Sequence, residues 1–207
     1  MTPTYRLTWI VLGTFAKVWF RARAVDAHHV PLTGPVILAS NHASFADPPL
    51  VGTSVDREIS YLARDTLFSK PLLGSYIRRL NAVPVNREGG GGPGLKAILD
   101  RLNSGSGIIL FPEGTRTHDG KLQPAKSGIG LIVAKSTAPV VPVHIHGSYE
   151  AWGRHHALPR PRKINVRFGA PRDFAELRAE LANAEKSRVK AIYQEIADRI
   201  MSDVAAL

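Results

Sequence analysis

The sequence contains no cysteine among its 207 residues. It therefore has no disulfide framework, no cysteine metal site and no thiolate that could carry a covalent acyl intermediate. The absence of cysteine fits an intracellular protein, because structural disulfides belong to oxidising compartments. The chain length suits one domain with a sizeable core rather than two domains.

Long hydrophobic runs are absent as well. The apolar stretch near the N-terminus, LTWIVLGTFAKVWF at residues 7–20, is interrupted by Lys17. A helix that spans a bilayer needs about 20 apolar residues, and no signal-peptide cleavage site follows this stretch. Its tryptophans and flanking arginines instead predict a helix lying in a membrane interface over residues 1–24. The alternative is a helix that packs on the core of the domain.

Acidic residues are outnumbered by basic ones. The chain has 27 lysines and arginines against 17 aspartates and glutamates, a formal net charge of +10. Such an excess attracts nucleic acid, an anionic bilayer surface or phosphorylated small molecules. A nucleic-acid-binding module would interleave basic and aromatic residues on one face. Aromatic residues are only 7 % of this chain and lie partly in the N-terminal stretch, so that module is the remote alternative and no nucleic-acid partner is expected.

Short apolar segments alternate with amphipathic ones along the chain, which predicts an α/β layer architecture in one domain over residues 25–207. Strands are predicted at residues 36–40, 59–62, 82–85, 108–111, 140–145 and 164–168. Helices are predicted from Pro48 and at residues 67–80, 95–103 and 174–204. The glycine-rich residues 88–94 are predicted to form a flexible connection.

The stretch NHASFADP at residues 41–48 contains His42 and Asp47. On a regular helix, residues five apart would point about 140° apart, but here a predicted strand passes into a predicted helix and the chain can turn. A carboxylate on one imidazole nitrogen fixes the tautomer and leaves the other nitrogen as a base for a hydroxyl. The alternative is that Asp47 only caps the helix and His42 is an ordinary loop histidine. A carboxylate has oxygens enough to serve both the histidine and the cap.

Two other predicted strands also end in polar residues. In FPEGTRT, residues 111–117, Gly114 lets the backbone approach a ligand and Arg116 offers a planar fork of donors for phosphate or carboxylate. In AVPVNR, residues 82–87, Arg87 follows a strand directly. Ligands of open α/β sheets usually bind at strand ends, and two arginines there would hold an anion better than one. The alternative for FPEGTRT is a tight turn with a surface ion pair.

These stretches resemble the sequence blocks of the glycerolipid acyltransferases, the family of lysophosphatidic acid and glycerol-3-phosphate acyltransferases. NHASFAD resembles the NHxSxxD block, AVPVNR is similar to the second block, FPEGTRT matches the third, and VVPVHI resembles the fourth. YLARDTLFSKPLLG, residues 61–74, resembles the segment between the first two blocks. The blocks follow the family's order across residues 35–147. The resemblance implies a mixed, mostly parallel central sheet flanked by helices, as in glycerol-3-phosphate acyltransferase.

The resemblance also implies a mechanism. His42 would be the general base on the free hydroxyl of the acceptor, and Asp47 would orient it. The hydroxyl oxygen would attack the thioester carbonyl of acyl-CoA or acyl carrier protein in a ternary complex. These donors are co-substrates, and no further cofactor is implied.

The acceptor phosphate would be held by arginines and by the third block. The residues implied for this role are Arg64, Arg87, Glu113, Gly114, Thr115 and Arg116, with Asn41, Ser44 and Pro112 in supporting positions. Arg116 would supply charge, and Gly114 and Thr115 would supply backbone donors. Glu113 would hold an acceptor hydroxyl or fix an arginine. The chain departs from the family at Arg64, where lysine is frequent, and at Asn86, where aspartate is frequent.

The expected reaction converts lysophosphatidic acid to phosphatidic acid in phospholipid biosynthesis. The expected location is the cytoplasmic face of the cell membrane, on an anionic surface, with peripheral or monotopic attachment and no spanning helix. Another acceptor, such as glycerol 3-phosphate, a lyso-aminolipid or a glycolipid, stays open. The histidines at positions 144, 146, 155 and 156 invite a zinc hypothesis, but no carboxylate or cysteine keeps ligand spacing with them, so no metal is expected.

Overall fold

A seven-stranded sheet lies between two layers of helices in the computed structural model, which describes residues 1–85 and 92–207. The strands are β1 (Arg23–Val25), β2 (Val36–Ser40), β3 (Ile59–Arg64), β4 (Ala82–Val85), β5 (Gly107–Leu110), β6 (Val140–His146) and β7 (Asn165–Phe168). Their order across the sheet is β1-β7-β6-β2-β5-β3-β4. All neighbouring pairs are parallel except β6 and β7. The expected mixed, mostly parallel sheet in a single domain is confirmed.

Helices cover both faces of this sheet. The helices of the described residues are α1 (Pro3–Trp19), α2 (Asp47–Thr53), α3 (Pro71–Arg79), α4 (Gly92–Asn103), α5 (Ser127–Ala134), α6 (Ser148–Trp152), α7 (Ala175–Leu181) and α8 (Lys186–Ala205). Within the described ranges, no helix combines the length and the apolar composition that crossing a membrane requires.

The central strand β2 shows how the core forms. Ile37 and Ala39 belong to the apolar cluster with α4, α5, α7 and α8, while Val36 and Leu38 belong to the cluster with α1 and α2. Successive side chains of a strand point to opposite faces, so a strand covered on both sides reads as a continuous apolar run. The sequence VILAS is such a run, and each of its residues is buried.

The predicted strands are confirmed, with boundaries that agree to within two residues. The prediction of one helix over residues 174–204 is wrong, because the chain turns between α7 and α8. Asn183 donates its N–H to the carbonyl of Glu180, which closes the end of α7. The turn also lets Arg188 of α8 reach Glu180 of α7, with Nε 2.5 Å from Oε1.

Other boundaries differ from the sequence prediction. Residues 67–80 do not form one helix; a 3₁₀ turn at Asp65–Leu67 precedes α3, which begins at Pro71, a residue suited to the first helical position. Residues 86–91, which include most of the predicted glycine-rich connection, lie outside the described residues, and Gly92 opens α4. The sequence patterns do not predict strand β1 or helices α5 and α6.

Helix α1 has one buried face and one exposed apolar face. Tyr5 and Ala16 are buried against the domain, whereas Leu7, Val11 and Val18 are exposed. One face of the helix therefore belongs to the core, and the opposite face presents apolar side chains at the surface.

Candidate active site

His42 and Asp47 meet in the turn between β2 and α2. Nδ1 of His42 lies 2.9 Å from Oδ2 of Asp47. The same oxygen accepts the backbone N–H groups of Ala43 at 2.6 Å and Ser44 at 2.7 Å. The completely buried carboxylate thus both closes the turn and orients the imidazole. The prediction that the chain turns to bring the two residues into contact is confirmed.

The predicted helix cap at Asp47 is wrong. Asp47 is the first residue of α2, and Ala46 occupies the N-cap position. The carboxylate points back to the amides that precede the helix instead of forward to those of its first turn. A proline follows Asp47 and has no N–H that the carboxylate could cap. The carboxylate oxygen therefore accepts the amides of the turn instead.

The FPEGTRT segment surrounds the backbone and the ring of His42. Oε1 of Glu113 accepts the backbone N–H of His42 at 2.7 Å. The backbone N–H of Thr117 donates to the carbonyl of His42 at 2.8 Å. The ring of Phe111 stacks on the imidazole with centroids 3.9 Å apart. Three contacts from the FPEGTRT segment, some seventy residues further along the sequence, therefore hold His42 in place.

Glu113 has a different role from the one expected. It is buried, and its second oxygen accepts the backbone N–H of Gln123 at 3.1 Å. Burial raises the pKa of this carboxyl to about 7, and the neighbouring charge of Asp47 contributes in the same direction. Its oxygens hold backbone amides instead of an acceptor hydroxyl, so we assign Glu113 to positioning the loop of His42.

The three supporting residues tie the turn to the rest of the domain. Asn41 accepts the N–H of Ile145 at 2.8 Å and donates to its carbonyl at 3.1 Å, which couples the turn to β6. The hydroxyl of Ser44 donates to the carbonyl of Trp152 at 2.9 Å. The carbonyl of Pro112 accepts the N–H of Lys126 at 2.9 Å.

A polar cavity of about 330 Å³ opens beside His42. The described residues that line it are His42, Phe45, Arg64, Thr115, Arg116 and Arg154. The guanidinium carbon of Arg116 lies 3.5 Å from the ring centroid of Phe45. The structure thus brings Arg64, Thr115 and Arg116 together as predicted, while Arg87 lies outside the described residues.

Gly114 does not line this cavity. Its φ of +71° is left-handed, a conformation that favours glycine. Its backbone N–H donates to the carbonyl of Phe111 at 2.9 Å and is therefore engaged within the turn. The expected backbone donor for a ligand is thus used to shape the loop, and Gly114 acts on the site by setting the path of the chain.

Two lining residues, Phe45 and Arg154, are not selected by the sequence analysis, and Arg154 is the charged one of the two. It follows α6, and its side chain crosses to the FPEGTRT segment, where Nη2 lies 2.5 Å from the hydroxyl oxygen of Thr115. In the sequence it appears only as one of several basic residues between positions 154 and 167. No local pattern distinguishes it, because its position depends on packing between distant segments.

An apolar groove of about 310 Å³ adjoins the turn that holds His42. Its lining comprises Tyr5, Thr8, Trp9, Leu12, Pro48, Pro49, Thr53, Tyr61, Leu62, Ala63, Ile77, Leu80 and Ala82. Pro48 and Pro49 directly follow Asp47, so the groove adjoins the turn that holds His42. Helices α1 and α3 form its outer walls.

The zinc hypothesis concerned histidines outside this site. The rings of His144 and His146 stack with centroids 3.8 Å apart, and burial lowers the pKa of His144 to about 4. Across residues 1–85 and 92–207, the side chains of histidine, aspartate and glutamate form no group of three that could hold a metal ion.

Comparison with known proteins places these features in a family. Residues 21–146, more than half of the chain, match the model of the acyltransferase family. The 1-acyl-sn-glycerol-3-phosphate acyltransferase of Bacillus subtilis is 27 % identical over 182 residues, which are 86 % of this chain and 85 % of the relative. A chloroplastic 1-acyl-sn-glycerol-3-phosphate acyltransferase of Arabidopsis thaliana is 30 % identical over 144 residues, 64 % of this chain and 40 % of that longer relative.

A solved structure is similar over almost the whole chain. It is the crystal structure of the 1-acyl-sn-glycerophosphate (LPA) acyltransferase of Thermotoga maritima, with a TM-score of 0.73 and 25 % sequence identity. The similarity covers 98 % of this chain and 80 % of that one. The family model, the relatives and the fold agree, and the chain belongs to the acyltransferase family.

Proposed function

We propose that this protein transfers a fatty acyl group from a thioester donor, acyl-CoA or acyl carrier protein, to the free hydroxyl of lysophosphatidic acid. The product is phosphatidic acid, a step of phospholipid biosynthesis. The observation that carries the proposal is the contact between His42 and Asp47 at the edge of an arginine-lined cavity. The names of the relatives, which are 1-acyl-sn-glycerol-3-phosphate acyltransferases, support the same acceptor.

The proposed chemistry needs one base and no covalent enzyme intermediate. Asp47 holds Nδ1 of His42, which leaves Nε2 to take the proton of the acceptor hydroxyl. The oxygen attacks the thioester carbonyl, a C–O bond forms, and the C–S bond of the resulting tetrahedral intermediate breaks. The proton on His42 then passes to the leaving thiolate. A positioned general base contributes roughly 10²- to 10⁴-fold to such a rate.

The polar cavity is suited to the phosphate of the acceptor. Its lining includes the guanidinium groups of Arg64, Arg116 and Arg154. Guanidinium groups match the geometry of phosphate oxygens, and hydrogen bonds between charged partners are the stronger ones. Phosphate bound there lies beside His42, which lines the same cavity.

The apolar groove is suited to an acyl chain. Its walls are almost entirely hydrocarbon and aromatic, and it approaches the catalytic turn through Pro48 and Pro49. A fatty acyl group in this groove would have its carbonyl end toward His42. Burial of each methylene contributes about 0.8 kcal/mol, so the groove provides binding energy for a long acyl chain.

We further propose that α1 and α3 attach the protein to an anionic membrane, from the cytoplasmic side. The hydroxyl groups of Thr8 and Tyr76 lie 2.8 Å apart, so the two helices form one continuous surface. This α1–α3 surface exposes the apolar side chains of Leu7, Ile10, Val11, Phe15, Val18, Leu72 and Leu73. Exposed arginines such as Arg6 and Arg78 flank it, as is typical of interfacial helices that bind anionic lipids.

The acceptor is tested with purified protein, palmitoyl-CoA and a panel of lysophosphatidic acid, glycerol 3-phosphate, lysophosphatidylethanolamine and a monoacyl glycolipid. Thin-layer chromatography of radiolabelled products should detect phosphatidic acid as the main product. Preferential acylation of another member of the panel would replace lysophosphatidic acid as the acceptor. No acylation of any member, with either acyl-CoA or acyl carrier protein as donor, would contradict the proposed function.

A further inference from the structure

Arg154 lines the cavity but lies outside residues 35–147, the range of the sequence blocks that predict the site. The segment before it is fixed to the catalytic turn, because the carbonyl of Trp152 accepts both the hydroxyl of Ser44 at 2.9 Å and the backbone N–H of Phe45 at 3.3 Å. Arg154 therefore enters the cavity from a backbone segment that is hydrogen-bonded to the turn of His42.

The guanidinium of Arg154 contacts a hydroxyl group and an imidazole ring. Nη2 lies 2.5 Å from the hydroxyl oxygen of Thr115, and Nη1 lies 3.2 Å from Nε2 of His118. In the described part of the chain, Arg154 forms no ion pair with a carboxylate. Each terminal nitrogen carries two hydrogens, so each retains one N–H after these contacts. The group is thus oriented without being neutralised.

The charged side chains among the described lining residues are basic, apart from the titratable His42. Three of its lining side chains are arginines, and none of the lining residues that the structure describes is acidic. Asp47 and Glu113 lie nearby, but they are buried and occupied by the turn and the backbone amides of the catalytic loop. Coulomb attraction grows with the charge of the ligand, so three converging guanidinium groups favour an anion of charge −2 over one of charge −1.

We propose that Arg154 is a specificity residue that makes the cavity select an acceptor whose phosphate is a monoester over one whose phosphate is a diester. A phosphate monoester carries between −1.5 and −2 at neutral pH, because its second pKa is about 6, whereas a diester carries −1. The inference rests on the proposed function and adds the residue that sets the choice among lysophospholipids. Arg154 also lines the adjoining cavity with Phe45 and Trp152, but its contact with Thr115 directs it to the catalytic one.

The test compares two acceptors that differ at the phosphate: lysophosphatidic acid, a monoester, and lysophosphatidylglycerol, a diester. For Arg154→Gln we expect kcat/KM for the monoester to fall about 10- to 100-fold, the range for losing a charged hydrogen bond. The loss should appear mainly in KM, and the diester should lose much less. Arg154→Lys keeps the charge and should recover most of the preference for the monoester.

Arg160→Gln is the matched control. Arg160 is exposed in the same segment and does not line the cavity. Its replacement by glutamine changes the net charge by the same amount as Arg154→Gln. It should leave the ratio of the two kcat/KM values unchanged. An equal loss on both acceptors in Arg154→Gln, or the same change of ratio in Arg160→Gln, would overturn the proposal.

A binding measurement separates this inference from the proposed function. Calorimetric titration of wild type with glycerol 3-phosphate and with glycerophosphoglycerol, in the absence of acyl donor, should give tighter binding of the monoester. Arg154→Gln should abolish that difference. If the wild type acylates no lysophospholipid, the proposed function fails, and this titration still decides the role of Arg154: equal affinities in wild type and variant would reject it.

Discussion

Glu113 is a residue whose ionisation should affect the stability of the fold. In the native protein it keeps its proton up to a pKa of about 7, whereas an unperturbed glutamate has a pKa of 4.5. Between these values the native state binds more protons than the unfolded chain, so the free energy of unfolding falls as pH rises. The loss attributable to Glu113 is on the order of 1–3 kcal/mol and is complete above the native pKa.

Replacing Glu113 by glutamine removes this titration. Urea unfolding at pH 5 and pH 8 should therefore show that wild type loses about 1–3 kcal/mol relative to Glu113→Gln on going from the lower to the higher pH. Other groups titrate alike in both proteins and cancel in the difference. Parallel pH profiles of the two proteins would contradict the raised pKa.

The contact between His42 and Asp47 could be predicted from the sequence, because a strand signal and a helix signal leave room for a turn between them and NHASFAD resembles a block of the family. The roles of Glu113 and Arg154 could not be predicted. In the sequence, Glu113 is a polar residue of a binding motif. In the structure, its oxygens accept the backbone N–H groups of His42 and Gln123, which lie 71 and 10 residues away in the sequence. Arg154 has no local signal, since its partners Thr115 and His118 lie more than thirty residues away.

Helix α5 is the element whose packing makes the sharpest demand on side-chain size. A Cβ added at Gly130 would lie 1.8 Å from the carbonyl oxygen of Tyr193 in α8. Because that atom belongs to a backbone, it cannot move aside easily, and Gly130→Ala should destabilise the protein by about 1–3 kcal/mol, as overpacking usually does.

Gly128 is the control in the same helix, since a Cβ there would meet nothing within 4 Å. Gly128→Ala should be neutral or should stabilise by about 0.5–1 kcal/mol, because alanine loses less backbone entropy in a helix. Urea unfolding of both variants measures the contrast. Equal effects of the two substitutions would show that α5 does not pack on α8 as described.

The α1–α3 surface is tested with exposed apolar side chains, because deletion of α1 would also remove Tyr5 and Ala16 from the core. Leu7 and Val18 are 65 % and 74 % exposed. The double variant Leu7→Ser/Val18→Ser should lower binding to phosphatidylglycerol-containing liposomes by about 10-fold or more, as expected for losing two inserted aliphatic groups.

The control changes two apolar residues of similar exposure outside that surface. Leu32 and Leu158 are 69 % and 75 % exposed, and Leu32→Ser/Leu158→Ser should leave liposome sedimentation unchanged. If the two double variants bind liposomes equally well, α1 and α3 are not the attachment surface.

Strands and helices with a clear hydrophobic pattern could be predicted from the sequence. Elements that depend on packing between distant segments could not. The continuous apolar run of β2 and the alternating run of β7 mark strands directly. The sequence does not predict helix α5, because SGIGLIVA combines two glycines with β-branched residues, which disfavour a helix locally. Burial against α8 overrides that preference. The sequence does not predict the break between α7 and α8, because both segments have helical patterns and residues 182–185 contain no glycine or proline that would mark a break.

At the scale of the whole molecule, the residues of the site follow or end four neighbouring strands. Strands β6, β2, β5 and β3 are adjacent in the sheet and mutually parallel, so their carboxyl ends lie along one edge. His42 follows β2, Arg116 follows β5, Arg64 ends β3, and Arg154 follows β6 through α6. The sequence predicts that ligands bind at strand ends, but the strand order that makes these ends neighbours emerges only from the folded sheet.

The central claim is that His42, oriented by Asp47, is the base of acyl transfer to lysophosphatidic acid. The most direct measurement is kcat for phosphatidic acid formation by wild type, His42→Ala, Asp47→Asn and, as a control, His28→Ala, an exposed histidine outside the site. With circular dichroism unchanged, we predict that kcat falls about 10²- to 10⁴-fold in His42→Ala and substantially in Asp47→Asn, and stays at the wild-type value in His28→Ala. A folded His42→Ala variant that keeps wild-type kcat would contradict the account.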